Sequence, residues 1–254
     1  MSALRARCPH CRTLTAVAFE DAYECHSCGA AFAAGLVRVP RAWGVGGSAM
    51  EEAAHAWLPY PEALVVERDT LEEQSAAIAA GLPKRPFVLG GCCCAHIGAI
   101  RGLAARHDRL AVVWLDAHGD LNTPATSPSG NLWGMPLRMA IDEGSVARSD
   151  VALVGARDLD TPEEEYVARE GIDDDLARAL GGATAVYVAL DVDVLEPGEV
   201  PSFMPVAGGP DTRDVVRVIR DVAGRARVAG LGITGLVPGA APETLTRFAV
   251  AAGL

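Results

Sequence analysis

Two short stretches of this 254-residue chain carry acidic side chains where chemistry could need them. LDAHGDLN (115–122) sets Asp116, His118 and Asp120 at alternate positions behind an apolar run, and LDVDVLEP (190–197) does the same with Asp191 and Asp193. Alternate residues of extended backbone point to one side, so each stretch is expected to present a row of ligands. Four carboxylates and an imidazole converging without a basic neighbour repel one another, and divalent cations are the natural remedy. Oxygen donors with one or two nitrogens suit Mn²⁺. The expected chemistry is therefore hydrolysis assisted by a cation that acidifies water. The competing reading, a solvated acidic loop, sits badly behind apolar lead-in strands.

A second set of donors lies near the N-terminus. CPHC (8–11) and CHSC (25–28) pair Cys8 with Cys11 and Cys25 with Cys28, thirteen residues apart. A two-residue gap lets both thiolates of a knuckle reach one tetrahedral ion, so these four cysteines are expected to hold a structural Zn²⁺. Gly29 suits the tight turn after Cys28, and His10 and His26 are expected to be spectators. So short a segment cannot bury enough apolar surface alone; the ion would hold it together. Redox pairs or disulfides are the alternative. The expected division is a zinc-ribbon-like module over 1–38 and a larger domain over 39–254.

The elements that must position the aspartates follow from hydrophobic runs. FVLG (87–90), LAVVWLD (110–116), VALVGA (151–156), AVYVALD (185–191) and VAGLGI (228–233) are apolar throughout, as strands covered on both faces are. Helical spacing with polar starts occupies 71–82, 96–107, 211–224 and 242–253. Alternating strands and helices predict a three-layer α/β/α domain with a mostly parallel sheet, whose site lies beyond the carboxyl ends of the strands. A linker is expected near 35–42. The formal net charge of −11 argues against a general nucleic-acid binder. Residues 1–38 carry Arg5, Arg7, Arg12 and Arg38 against Glu20, Asp21 and Glu24, so the acid is concentrated in the larger domain. No apolar run approaches the ~18 residues that cross a bilayer, and MSALRARCPHC lacks the apolar core of a signal peptide. The expectation is a cytoplasmic protein whose seven cysteines are ligands or buried thiols.

The motifs resemble those of the arginase (ureohydrolase) family. DAHGDLNTPATSPSGNLWGMP (116–136) matches the family run without a gap, and GARDLDTPEEEY (155–166), LDVDVLEP and PSFMPVAGG (201–209) extend the likeness over roughly 85–245. The resemblance implies a two-manganese cluster bridged by Asp116 and Asp191, with Asp120 on the first ion and His118 and Asp193 on the second. It also implies a grip on an α-amino acid: Asn122, Ser127, Ser129 and Asn131 for the carboxylate, Asp160 for the amino group. Asp120 and His118 are then the catalytic residues, Asp120 passing a proton to the departing amine.

Three positions depart from the family pattern. In LGGCCCAHIG (89–98), Cys92, Cys93 and Cys94 stand where the family has Asp, a metal-binding His and Ser. A thiolate favours Zn²⁺ or Fe²⁺ over Mn²⁺. Either Cys93 binds a different ion or only the second site fills, leaving one ion; His96 is expected to be a helix-cap or surface residue, with substitution for the lost ligand as the alternative. Cys92 and Cys94 are expected to be packing residues. Trp133 replaces a proton-shuttling histidine and narrows the entrance. Gly235 replaces the acidic residue that grips a guanidinium, and is expected to leave space at the reacting end.

Together these changes point to a neutral hydroxyguanidine: Nω-hydroxy-L-arginine cleaved to ornithine and hydroxyurea. The alternatives are a single-metal, deacetylase-like amidohydrolase, or a non-catalytic metal-dependent binding protein. Partners implied are a guanidino or hydroxyguanidino amino acid and a protein docked through the ribbon, with a homo-oligomer left open; no membrane and no nucleic acid are expected.

Overall fold

The computed structural model describes residues 5–19, 22–33 and 35–254; Glu20 and Asp21, counted in the charge balance above, lie outside the described residues. Four short strands come first. β1 (Arg5–Ala6), β2 (Ala16–Phe19), β3 (Ala22–Cys25) and β4 (Ala31–Ala33) form an antiparallel sheet in that order.

Seven further strands build the main sheet: β5 (Leu36–Val39), β6 (Glu62–Val65), β7 (Phe87–Gly90), β8 (Leu110–Leu115), β9 (Val151–Val154), β10 (Ala185–Asp191) and β11 (Val228–Thr234). Every neighbouring pair is parallel, in the order β6-β5-β7-β11-β10-β8-β9. Among the described residues, eight helices accompany it: α1 (Ser48–Ala53), α2 (Leu71–Gly81), α3 (Ala95–Ala104), α4 (Pro136–Asp142), α5 (Thr161–Glu170), α6 (Leu176–Leu180), α7 (Thr212–Arg225) and α8 (Pro242–Ala251).

The period of two along each strand divides the core into two slabs. Phe87, Leu89, Val113, Leu115, Val188 and Leu190 pack with Ile219 and Val222 of α7 and Leu245 and Phe248 of α8. Val88, Val112, Trp114 and Tyr187 face the other way, against Ile78 of α2, Ile100 and Leu103 of α3 and Leu137 of α4. That is the three-layer arrangement read from the sequence.

Two corrections concern the junction. The expected linker near 35–42 contains β5, and Leu36–Val39 pairs with β6 and β7. The chain therefore passes from the small sheet to the large one between residues 33 and 36, ahead of the boundary expected at 38. Arg38 disguised this strand. The residue is 8% exposed, and its guanidinium donates to Glu62 Oε2 at 2.5 Å and to the Ala54 carbonyl at 2.7 Å.

The small sheet is fixed to the large one by aromatic packing. Tyr23 stacks on Phe32 with centroids 5.6 Å apart, Phe32 meets Tyr60 edge-on at 6.0 Å, and Tyr60 meets Phe87 at 5.0 Å. The ladder runs from the module into the core strand β7. The N-terminal module thus docks on its own main domain.

Candidate metal centre

The four adjacent strands β7, β11, β10 and β8 end on one rim of the sheet. Cys93 lies three residues beyond β7, Asp116 is the first residue after β8, Asp191 is the last of β10 and Gly235 is the first after β11. Buried parallel strands are rigid, so the rim holds these residues in register.

The backbone does not stay extended there, which corrects the expectation of alternate side chains on one side. The chain turns after Leu115, Asp120 takes a left-handed φ of 52°, and Val192–Val194 forms a 3₁₀ turn. The carboxylates cap these turns: Asp116 Oδ1 accepts from the His118 amide at 2.7 Å, Asp191 Oδ1 from the Asp193 amide at 3.0 Å, and Asp193 Oδ1 from the Ala117 amide at 3.1 Å.

The outcome is two donor groups that share Asp116. In Cys93, Asp116 and Asp120, and again in Asp116, His118 and Asp193, the ligand atoms lie within 4.8 Å of one another. Asp191 belongs to neither set; its Oδ2 lies 3.0 Å from Cys93 Sγ and 3.3 Å from Thr234 Oγ1. His118 Nδ1 is 3.0 Å from Asp193 Oδ2 and 3.5 Å from Asp116 Oδ1.

Electrostatics say what the cluster wants. Burial, then the charge of neighbouring aspartates, raises Asp191 and Asp193 to about 7 and pushes Asp120 well above the carboxylate range. Burial alone would lower His118, but Asp116 and Asp193 outweigh it and hold the imidazolium up to about 12. The cluster therefore retains protons against its own crowding of negative charge. Asp120 Oδ2 and His118 Nε2 are buried and find no hydrogen-bond partner. Buried polar atoms are normally satisfied, and oxygen, nitrogen and sulfur donors at this spacing fit divalent cations.

A cavity of about 250 Å³ opens over the cluster, lined by Asp116, His118, Asp120, Asp191, Asp193, Cys93, Asn122, Ser127, Ser129, Asp160, Trp133 and Gly235. All but one of the expected main-domain site residues line this one space. Asn131 does not: its Oδ1 accepts from the Val45 amide at 2.9 Å and holds that loop. Asn122 and Asp160 are joined, Nδ2 donating to Oδ2 at 2.8 Å, so the two halves of the expected amino-acid grip form one polar wall. Trp133 stands edge-on to Phe203 at 5.4 Å and flanks the cavity with it.

Gly235 departs from expectation. It has a φ of +73°, and a Cβ built there would lie 2.0 Å from Asp191 Oδ1. The Asp191 carboxylate already fills the space, so the glycine allows close approach of a ligand group rather than room for substrate.

His96 is neither a surface residue nor a ligand. It is fully buried, with Nδ1 2.9 Å from the Tyr187 hydroxyl and Nε2 3.1 Å from Thr234 Oγ1, and burial lowers its pKa to about 3. Cys92 and Cys94 are buried packing residues in a small apolar cluster with Met50 and Ile97.

Several lining residues escaped the sequence reading: Asp158, Glu163, Phe203 and Met204. Glu163 is 3% exposed and its carboxylate accepts from the Leu121 amide at 2.8 Å and the Asp160 amide at 2.9 Å. It ties the Asp120 turn to the start of α5. Nothing in the run TPEEEY told which acid turns inward.

In the module, Cys8, Cys11, Cys25 and Cys28 place four sulfurs within 4.8 Å of one another. Cys8 and Cys28 sulfurs are 3.7 Å apart and those of Cys11 and Cys25 3.5 Å. About 3.8 Å separates thiolates around a tetrahedral zinc with bonds of ~2.3 Å, and all four cysteines are free. The donor set fits that ion. His10 and His26 lie outside the group.

A rim of carboxylates at the ends of parallel strands, beneath a polar-walled pocket, is shared with known proteins. The Arginase family model matches residues 45–253, and the chain belongs to that family. It is 34% identical to the arginase of Bacillus subtilis (strain 168) over 160 residues, 52% of this chain and 54% of that one. It is 36% identical to that of Brevibacillus brevis over 159 residues, 51% and 53% of the two chains. The chain thus spans about half the length of the curated relatives it matches. The crystal structure of arginase from Bacillus cereus superposes with a TM-score of 0.72 at 22% identity, covering 86% of this chain and 96% of that one, a likeness of fold. Among the described residues, no helix is long and apolar enough to cross a membrane.

Proposed function

We propose that this chain is a cation-dependent ureohydrolase that cleaves the guanidino group of an α-amino acid, with Nω-hydroxy-L-arginine, giving ornithine and hydroxyurea, as its substrate. The observation that carries the reading is the pair of donor groups sharing Asp116 at the floor of a cavity whose wall offers Asn122, Ser127, Ser129 and Asp160. Asp116, His118 and Asp193 would hold one cation, Mn²⁺ by donor type, and Cys93, Asp116 and Asp120 a second, with Asp191 adjoining both. When bound, such ions supply Lewis acidity, making water acidic and stabilising negative charge on the reacting group.

The chain's own residues supply the rest. Asn122 and the serines position the α-carboxylate while Asp160 accepts from the α-ammonium, which aims the guanidino group at the floor. Water adds to the guanidino carbon, its proton passing to Asp120 Oδ2, the buried oxygen with no other partner. The C–N bond to the amino acid side chain then breaks, and Asp120 returns the proton to the departing amine nitrogen. Trp133 and Phe203 restrict solvent.

The hydroxylated substrate is supported by the lack of a side chain at Gly235 to pair with a guanidinium. A hydroxyguanidine is far less basic and enters neutral, so it needs no buried counter-charge. Manganese-loaded protein is expected to release ornithine from Nω-hydroxy-L-arginine at least tenfold more efficiently than from L-arginine. Equal efficiency would refute the substrate, and no release from either would refute the activity.

The four module cysteines we assign to a structural Zn²⁺, which requires reduced sulfur and so accords with a cytoplasmic setting. Zinc retained through gel filtration, falling by one ion per chain with the Cys25→Ser change, is the expected result; full retention in that variant would contradict it.

A further inference from the structure

Cys93 sits among oxygen donors, its Sγ 3.0 Å from Asp191 Oδ2 and 3.8 Å from Asp116 Oδ2; burial and these aspartates hold the thiol well above its ordinary pKa, so a bound cation is what would keep it ionised. We propose that Cys93 is a cation ligand held by a buried Tyr187–His96–Thr234 relay, and that the position formed by Cys93, Asp116 and Asp120 takes a softer ion, Zn²⁺ or Fe²⁺, than the position formed by Asp116, His118 and Asp193. This rests on the reading that the carboxylate cluster binds cations.

Three observations carry it. The Cys93, Asp116 and Asp120 ligand atoms lie within 4.8 Å of one another, close enough to meet on one ion. Asp120, 5% exposed, contributes a carboxylate oxygen to the same group, so a donor other than sulfur is also present there. The third is the relay behind the sulfur. Thr234 Oγ1 is 3.1 Å from Cys93 Sγ and 3.1 Å from His96 Nε2, and His96 Nδ1 is 2.9 Å from the Tyr187 hydroxyl.

The relay accommodates a thiolate without stranding a polar atom. With the sulfur ionised, Tyr187 O–H donates to His96 Nδ1, His96 Nε2–H donates to Thr234 Oγ1, and Thr234 O–H donates to Cys93 Sγ. Each donor is used once, and the neutral imidazole supplies one N–H and one lone pair. With a thiol, S–H donates instead to Asp191 Oδ2, 3.0 Å away. Ion binding would thus exchange the S–H bond to Asp191 for a sulfur–metal bond, the thiol proton passing to water. Outer partners of this kind orient a ligand and tune its affinity.

Sulfur makes the two positions chemically unlike. The first offers one soft thiolate with two carboxylates, the second an imidazole with two carboxylates, and ligand softness selects between late and early transition metals. The thiolate is a change of preference, not a lost ligand.

Cadmium-113 NMR of the full-length protein reads this directly, with no need of turnover. Wild type is expected to show a far-downfield tetrathiolate signal from the N-terminal module, a mixed sulfur–oxygen signal, and an upfield oxygen–nitrogen signal. Cys93→Ser removes the mixed signal and leaves the tetrathiolate one, which also reports a folded protein. Thr234→Val shifts the mixed signal alone. In competition, Cys93→Ser is expected to lower retention of zinc relative to manganese by roughly tenfold. A mixed signal unchanged in Cys93→Ser, or a cluster showing only oxygen–nitrogen signals in wild type, overturns thiolate ligation while the cluster still binds cations. A spectrum holding the tetrathiolate signal alone overturns the cluster reading as well.

Discussion

The chain carries two cation-competent sites built on opposite principles. In the N-terminal module, four sulfurs come from two knuckles on strands of two to four residues, and Cys28 is exposed. In the main domain, the donors hang on the ends of fully buried strands and are themselves buried, apart from the half-buried His118. The module's own core is small and we propose that an ion organises it; the cluster is preformed by a sheet that folds for other reasons, at the cost of crowding negative charge. On that proposal the ion organises the structure in one, and in the other the structure makes the ion's site.

The largest effect should fall on chemistry in the cluster. Asp120→Asn is expected to lower turnover by about 10²–10⁴-fold while the metal-free protein melts no lower than wild type, because one buried, repelling carboxylate is gone. Ornithine release and calorimetry check this, and an active variant would remove Asp120 from the mechanism.

Next comes the seam between the two regions. Phe32 is 1% exposed at the centre of the aromatic ladder, and Phe32→Ala should cost about 3–5 kcal/mol, read from denaturant unfolding. A loss below 1 kcal/mol would mean that the module rides loosely on the main domain.

The pH response should separate metal-free from loaded protein. Asp191 and Asp193 sit at about 7 in the folded chain, against roughly 4 when unfolded. The folded state thus holds the extra protons, so this stabilisation is complete below about pH 4 and is lost as pH rises through 7. Metal-free protein should melt progressively lower between pH 5 and 8, and added manganese should flatten or reverse that slope. A flat metal-free profile would contradict the burial of these charges.

The smallest effect is expected from the ion pair that also joins the module to the main domain. Arg12 reaches Glu243 at 3.6 Å with both side chains largely exposed, so Arg12→Ala should change stability by no more than about 0.5 kcal/mol. A larger loss would shift the credit for docking from the aromatic ladder to charge.

What the sequence revealed follows the same division. Five strands of the main sheet and four helices were legible because they are long apolar runs or amphipathic stretches with polar starts. β5 and β6 were missed, one carrying a buried arginine and the other lying half-exposed at the sheet edge. Residue types at the cluster were legible as ligands, yet the way they converge was not. Alternation in extended backbone was the wrong geometry; tight turns and a left-handed Asp120 bring the donors together. Glu163 and Asp158 were not singled out in the sequence, because which acid turns toward the site depends on tertiary packing. Gly235 read as open space because a missing side chain says nothing about which neighbour fills it. The relay through His96 needed three elements far apart in the chain.

The central claim is that the strand-end carboxylates hold a cation, and Asp116 tests it best because both donor groups share it. Calorimetric titration of manganese into metal-free protein should show binding with proton release that rises in affinity with pH. In Asp116→Ala that binding should vanish while the zinc of the N-terminal module is retained. Manganese binding of equal strength in the variant would contradict the account.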